Sequence, residues 1–187
     1  MKFKKSKIQG AFEIKLDPFE DDRGYFMRTY DDQIFKNKGI IHSWVQENHS
    51  FSKNKNTLRG LHFQLQPYAE TKIVRAVSGK IFIVFVDIRK NSENFGDWDS
   101  VVLSGEGKNM LYVPRGFAMG MCTLSKDCTL LYKMDNYYQP SYQSAIIWND
   151  ADIGIKWPIK NPILSERDKK AQSFKEFTDI YGGIEVS

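Results

Sequence analysis

The sequence predicts an all-β sandwich or barrel, a single jelly-roll-like domain spanning residues 1–187 with a few short helices. Short apolar and β-branched segments recur through the middle of the chain, and Gly-containing turns separate them at close intervals. Helical patterns are few, and no internal repeat or linker divides the chain. A length of 187 residues, with 41% hydrophobic and 27% charged side chains, is ordinary for one globular domain with a sizeable core.

Six strands are predicted in order along the chain. Residues 72–77 form the first, a β-branched segment followed by a turn at residues 78–80. Residues 81–88 are almost wholly apolar, which is typical of a strand that is buried on both faces. We expect the remaining strands at residues 99–103, 110–113, 117–124 and 129–134.

Two helices are expected. Residues 31–38 have a short helical pattern that stops before Gly39. Residues 165–177 are the stronger candidate, because Ser165 suits the N-cap position and the apolar side chains that follow would share one side. The second helix therefore closes the predicted fold at its C-terminal end.

Charge and hydrophobicity argue against nucleic-acid binding, a membrane span and a signal peptide. The net charge is +4 with a pI near 8.9, and the basic residues are scattered rather than interleaved with aromatics, so we expect no nucleic-acid partner. No apolar run approaches the ~20 residues of a membrane span, and the basic start lacks the apolar core of a signal peptide. We therefore expect a cytoplasmic protein with no membrane partner.

Cys122 and Cys128, which lack a CxxC pattern, should be reduced and buried.

Metal chemistry is an obvious alternative for a small β-barrel. Metal-binding jelly rolls usually carry a His-x-His pair, then a carboxylate and a later third histidine. Here His62 is followed two residues later by Gln64, and the other two histidines, His42 and His49, both precede it. We therefore predict a site with no metal and no cofactor.

Four side chains could take part in acid–base chemistry, although each has a plain structural interpretation. His62 lies in an apolar stretch, where a lone histidine is usually structural. Lys72 could be a strand-edge charge, and Tyr132 a half-buried strand tyrosine. The carboxylate of Asp168 could do no more than cap a helix, because Ser165 and Asp168 have the spacing of a capping box.

The set of short motifs from about residue 12 to residue 168 resembles the dTDP-4-dehydrorhamnose 3,5-epimerase family in order and spacing. Any one motif is weak, but the collinear set is highly specific. The matching stretches are DRGYF at residues 22–26, VQENHS at 45–50, LRGLHFQ at 58–64, KIVRAV at 72–77, VDIR at 86–89, FG at 95–96, VPRGFA at 113–118, LYK at 131–133, YYQP at 137–140, IWND at 147–150, IKWP at 155–158 and LSERD at 164–168.

The resemblance implies a cupin-type jelly roll that inverts C3 and C5 of a nucleotide-diphosphate-linked 4-keto sugar without a cofactor, for surface-polysaccharide biosynthesis. In that family His62 would be the general base with Asp168 as its partner, and Tyr132 the acid on the opposite face of the sugar. Lys72 would lie near the keto oxygen.

The resemblance also implies substrate contacts and a partner subunit. The expected contacts are Arg23, Arg59 and Arg167 to the diphosphate, Gln46 and Asn48 as polar contacts, and Phe26 and Tyr138 around the sugar and the base. Family members are homodimers that exchange N-terminal strands, so we expect part of each site to come from the other subunit.

Three expected substrate-site positions depart from the family's usual pattern. Met119 stands where the family usually has a histidine, and a thioether cannot donate a hydrogen bond. Arg28 replaces a usual glutamate near the nucleotide, and Gln143 replaces another after Tyr138. Each change is compatible with drift at a tolerant position. Together they favour a different sugar or base, such as a GDP-linked heptose in place of a dTDP-linked 6-deoxyhexose.

Three alternatives stay open. An epimerase acting at C3 only would fit the changed position 119. A nucleotide-sugar 3,4-ketoisomerase would move the carbonyl on the same scaffold, but the set of His62, Lys72 and Tyr132 fits an epimerase better. A non-catalytic sugar-nucleotide-binding cupin is the third, and the retention of all four acid–base residues argues against it.

Overall fold

A computed structural model describes residues 1–186 as β-strands with three short helices and a 3-10 turn at Pro140–Tyr142. The strands are β1 (Lys2–Lys5), β2 (Phe12–Lys15), β3 (Phe19–Asp21), β4 (Gly24–Phe26), β5 (Gln46–Ser52), β6 (Leu58–Gln64), β7 (Lys72–Ser78), β8 (Lys80–Asp87), β9 (Trp98–Ser104), β10 (Asn109–Val113), β11 (Phe117–Thr123), β12 (Cys128–Met134) and β13 (Gln143–Ala145). The helices are α1 (Asp32–Lys36), α2 (Glu166–Lys169) and α3 (Phe174–Tyr181).

The strands form two main antiparallel sheets. The first has six strands in the order β1-β2-β10-β7-β12-β5, and the second has five in the order β13-β6-β11-β8-β9. Strands β3 and β4 form a separate two-stranded hairpin. The all-β prediction, with a few short helices, is therefore confirmed, whereas the assignment of residues 1–187 to one domain stays a prediction.

The six strands expected from the sequence are confirmed to within two residues at their ends. Strand β8 has partners on both sides, β11 and β9, and its residues from Val84 to Asp87 are fully buried, as its apolar sequence predicts. Strands β5 and β6, which the sequence pattern does not single out, provide an edge strand of one sheet and an inner strand of the other.

The helix expected over residues 165–177 is wrong as a single element, although its start is confirmed. The side chain of Ser165 caps α2, accepting a hydrogen bond from the amide of Asp168. The chain then leaves the helical conformation, and Gln172 forms a parallel β-bridge with Ile146. Ser173 begins a second helix through a capping box with Glu176. The short helix near residues 31–38 is confirmed as α1.

The core has three clusters of apolar side chains. One lies between the two sheets, the second is where α3 packs beneath the five-stranded sheet, and the third is where Phe35 of α1 packs on the six-stranded sheet. Cys122 and Cys128 are both free and buried, as the sequence predicts. Burial raises the pKa of the Cys122 thiol to about 11, which makes it unreactive.

No helix within the described residues is long and apolar enough to cross a membrane.

A β-bulge in β6 decides which of its side chains point between the sheets. Met119 of β11 pairs with His62, but Met121, two residues further on, pairs with Arg59, three residues back. The extra residue on β6 puts Arg59 and His62 on the same face, although side chains three apart in a regular strand point to opposite faces. Gly60 occupies the bulge with φ +122°.

Replacing Gly60 with alanine should destabilise the protein more than the same change at Gly39. Both glycines have positive φ, but a Cβ at Gly60 would lie 2.6 Å from the Cα of Gly120, whereas a Cβ at Gly39 has nothing within 4 Å. We expect Gly60→Ala to lower the unfolding temperature by about 4–8 °C more than Gly39→Ala, since a backbone clash adds to the strain of positive φ. Thermal unfolding by circular dichroism measures this, and equal shifts would contradict it.

Candidate active site

A cavity of about 340 Å³ lies between the two sheets. One wall is formed by β6 and β11, and the other by β5, β7 and β12. Nine of the fourteen residues that the sequence predicts for the site line this cavity; they are Gln46, Asn48, Arg59, His62, Lys72, Met119, Tyr132, Tyr138 and Gln143.

His62 and Asp168 form a hydrogen-bonded pair at the first wall. The His62 Nε2 atom lies 2.6 Å from Oδ1 of Asp168, whose side chain is 4% exposed, while the imidazole is 29% exposed. The Ser165 hydroxyl donates to the other carboxylate oxygen at 2.8 Å. Asp168 therefore contributes to the start of α2 and also contacts the imidazole. A carboxylate partner at Nε2 favours a proton on that nitrogen and leaves Nδ1 as the basic one.

The charge of Asp168 is stabilised from several directions. Burial alone would raise the pKa of its carboxyl, but the hydrogen bond and charge of His62 lower it. The hydroxyl of Ser165 and the backbone amide of Gly60 lower it further, and together these contacts hold the pKa below its usual value. Asp168 is therefore ionised at neutral pH and can support a positive charge on the imidazole.

Tyr132 and Lys72 belong to the opposite wall. Tyr132 lies in β12 between Asn48 of β5 and Val74 of β7, and its neighbours two residues away, Leu130 and Met134, line the cavity with it. Lys72 begins β7 and pairs with Met134. Its ammonium is 2.6 Å from the Oε1 atom of Glu70, and the side chain is 12% exposed.

Alternate residues of β5 provide the polar part of this wall. The side chains of Gln46 and Asn48 hydrogen bond to each other at 3.1 Å, and the amide nitrogen of Asn48 contacts the Met134 sulfur at 3.3 Å. The Gln46 side chain also accepts from the backbone amide of Tyr138 at 3.0 Å. The strand therefore fixes the segment that carries Tyr138.

Gln143 links the other expected residues at the cavity mouth. Its Oε1 atom accepts from the hydroxyl of Tyr138 at 2.7 Å and from the guanidinium of Arg167 at 2.6 Å. A neutral amide oxygen therefore makes both contacts here, and Arg167 forms a hydrogen bond with it rather than an ion pair. Arg167 itself lies on α2, next to Asp168.

Met119 lies directly across from His62 in the pairing of β11 with β6, and it packs against the core cluster between the sheets. Its thioether can neither donate a hydrogen bond nor take up a proton. His62 is therefore flanked by an apolar side chain at the position where the resemblance leads one to expect an imidazole.

Four of the expected substrate contacts do not line the cavity of the single chain: Arg167, which bonds to the lining residue Gln143, and three residues near the N-terminus. Arg23 and Phe26 lie on the exposed β3–β4 hairpin, and the Arg23 guanidinium pairs with Asp21 at 2.6 Å. Arg28 follows the hairpin and pairs with Asp31 at 3.1 Å, where Asp31 caps α1. The resemblance led us to expect that part of each site comes from another subunit, and the place of these three residues outside the cavity of their own chain is compatible with that expectation.

The three histidines do not converge. His42 contacts Asp135 and the hydroxyl of Tyr112, both at 2.9 Å, beside a different cavity from that of His62. Within residues 1–186, no three His, Cys, Asp or Glu side chains are grouped so that they could hold a metal ion. That the site works without a metal or cofactor stays a prediction.

Sequence reasoning missed several residues that line the cavity: Ser50, Gln64, Glu70, Gly120, Met121, Leu130 and Met134. Ser50 could have been found from its period-two spacing with Gln46 and Asn48, once β5 is recognised as a strand. Glu70 gives no such signal, since it lies in a loop outside every regular pattern. Its contact with the ammonium of Lys72 is seen only in the folded chain.

The arrangement suits proton transfer on two faces of one molecule. A small substrate held between the sheets would meet His62 from one wall and Tyr132 from the other. A base and an acid on opposite sides can remove a proton from one face of a carbon and return another to the opposite face. An ammonium beside them, that of Lys72, suits an oxygen that becomes negative in between.

Comparisons with known proteins agree with this geometry. The family model for dTDP-4-dehydrorhamnose 3,5-epimerase matches residues 5–176. The dTDP-4-dehydrorhamnose 3,5-epimerase of Shigella flexneri is 46% identical over 164 residues, which cover 87% of this chain and 89% of that protein.

Two solved structures are similar along their whole length. The dTDP-6-deoxy-D-glucose-3,5-epimerase of Legionella pneumophila, in complex with dTDP-4-keto-L-rhamnose, is 33% identical with a TM-score of 0.93, covering 100% of this chain and 98% of that one. A 3'-monoepimerase of Streptomyces bikiniensis, in complex with dTDP-quinovose, is 28% identical with a TM-score of 0.87, covering 97% and 91%.

Proposed function

The chain belongs to the dTDP-4-dehydrorhamnose 3,5-epimerase family, a family of isomerases with a cupin-type jelly roll, and we propose that it inverts C3 and C5 of a nucleotide-diphosphate-linked 4-keto sugar without a cofactor. The observation that carries the proposal is the division of acid–base groups between the walls of one cavity. His62 with Asp168 lies on one side, and Tyr132 with Lys72 on the other.

The proposed reaction moves one proton at a time. The Nδ1 atom of His62 takes the proton from the carbon beside the ketone, and the C–H electron pair becomes an enolate whose oxygen faces Lys72. The phenol of Tyr132 then gives its proton to the same carbon from the opposite face, which inverts it. Exchange with solvent restores a neutral His62 and a protonated Tyr132. Asp168 stabilises the imidazolium between these steps.

The substrate's diphosphate would be held by guanidinium groups at the cavity mouth. Arg59 lines the cavity, and Arg167 is at its rim through Gln143. The remaining expected contacts, Arg23 and Phe26, lie on a hairpin that is exposed in the single chain, with Phe26 67% exposed. We propose a homodimer in which this hairpin completes the cavity of the partner subunit, because a large exposed aromatic beside a charged contact suits an interface.

Two nucleotide sugars are candidates for the substrate. The solved relatives above bind dTDP-linked sugars, which makes dTDP-4-keto-6-deoxyhexose the first candidate. The arginine at position 28 and the amide at position 143 change the charge near the expected nucleotide position, which favours a second candidate, a GDP-linked 4-keto heptose. The cytoplasmic location expected from the sequence accompanies either choice.

Inversion at C3 alone is a second candidate function, and Met119 is the observation that favours it. A thioether directly across from His62 cannot assist a second proton transfer. A 3'-monoepimerase also shares the fold.

Wild-type enzyme incubated in heavy water should incorporate deuterium at both C3 and C5 of its 4-keto sugar, followed by NMR. The physical reason is that each inversion passes through an enolate that takes its new proton from solvent-equilibrated groups. Parallel reactions with dTDP-linked and GDP-linked substrates identify the nucleotide. Deuterium at C3 alone would replace the proposal with a C3-epimerase, and binding without exchange on either substrate would contradict catalysis.

Mixed dimers should recover activity if the hairpin serves the partner subunit. His62→Asn removes the base, and the double change Arg23→Ala with Phe26→Ala removes the hairpin contacts; each variant alone should be nearly inactive. Co-expressed with different tags, a 1:1 mixture should regain about a quarter of the wild-type activity, since half of the dimers would hold one intact site of two. No recovery in purified mixed dimers would show that the hairpin serves its own chain.

A further inference from the structure

Glu70 is a buried carboxylate that lines the cavity and has no place in the roles described so far. Its side chain is 4% exposed, and its Oε1 atom lies 2.6 Å from the ammonium of Lys72. Among the described residues that line the cavity, it is the one carboxylate. A charged side chain in such a position needs a partner, because burying an ion without one is costly.

The segment that carries Glu70 and Lys72 is anchored from behind. Between them, Thr71 donates its backbone amide to Oδ1 of Asp135 at 2.6 Å and accepts from the backbone amide of Asp135 at 3.3 Å. Asp135 is itself 2% exposed in its side chain and is held by His42 at 2.9 Å and Arg115 at 3.2 Å. The backbone on both sides of the ion pair is therefore fixed, so the direction of the two side chains depends on their mutual contact.

Within the described residues, the Glu70 carboxylate has one polar partner, Lys72. Its second carboxylate oxygen is buried and has no hydrogen-bond partner among the described residues. A charge at hydrogen-bond distance in a buried site interacts strongly with its partner, because little water screens the pair.

The residue paired with His62 on the neighbouring strand is Met119, whose thioether cannot donate a hydrogen bond to an oxygen of the substrate. Among the described residues, Glu70 is the polar side chain that contacts the ammonium that we place beside the keto oxygen. We propose that Glu70 is a positioning residue for the epimerisation, which balances the charge of Lys72 and aims its ammonium at the oxygen of the enolate. This inference rests on the proposed function.

Glu70→Gln is the variant to measure, because it keeps the shape of the side chain and removes its charge. The rate of C3 and C5 exchange at saturating substrate should fall by about 10- to 100-fold with KM changed less than about threefold, since the lost contact serves the enolate rather than the bound ketone. Glu47→Gln is the matched control, because Glu47 pairs with Lys133 on the exposed side of the same sheet and should leave both constants unchanged.

A second pair of variants separates positioning from general damage. With Lys72→Met as the starting point, adding Glu70→Gln should cause no further loss of kcat, because the ammonium it aims is already gone. Thermal unfolding and nucleotide binding of each variant check that the chain is folded. A wild-type kcat in Glu70→Gln, or an equal loss with and without Lys72, would overturn the inference. Both outcomes presuppose exchange by the wild type, so failure of the proposed function is recognised separately.

Discussion

The extra residue in β6 is the constraint on which the rest of the site depends. Without the bulge, Arg59 and His62 would point to opposite faces of the sheet, and one of them would be lost from the cavity. Gly60 makes the bulge possible, because its φ is positive and a Cβ at this position would lie only 2.6 Å from the Cα of Gly120. The amide of the same residue also stabilises the charge of Asp168. The same glycine therefore affects both the geometry of β6 and the charge beside His62.

The sandwich architecture places the candidate acid–base groups on opposite sheets. The five-stranded sheet presents the His62–Asp168 pair, and the six-stranded sheet presents Tyr132 and Lys72. A molecule between the two sheets would lie within reach of both sets of groups. Inversion of a carbon by two acid–base groups needs one group on each face, and the two walls of the cavity meet that need. The buried charges come as pairs, Asp168 with His62 and Glu70 with Lys72, which limits the cost of holding them in an apolar interior.

The sequence predicts the apolar strands well, because the pattern of apolar residues and the turn residues between strands both lie within a few neighbouring positions. It identifies neither β5 nor the break between α2 and α3. Strand β5 alternates polar residues that face a cavity, and Ser173 starts a new helix at a bridge to a distant strand. Motif resemblance points to nine residues of the cavity, but it carries no information on Glu70, whose partner is set by the fold. It also does not show that Arg23, Phe26 and Arg28 lie outside the cavity of their own chain, since the position of a hairpin relative to the sheets is set by the fold.

If His62 and Tyr132 act on opposite faces of the same carbon, removing the phenol hydroxyl should separate proton exchange from inversion. The measurement is the configuration of the carbon that acquires deuterium when Tyr132→Phe acts on its substrate in heavy water. We expect deuterated substrate of unchanged configuration, because His62 still removes the proton and returns a deuteron to the same face, while inverted product forms at a small fraction of the wild-type rate. Inverted product at the wild-type rate, or loss of exchange and inversion in equal proportion, would contradict the assignment of Tyr132 as the acid.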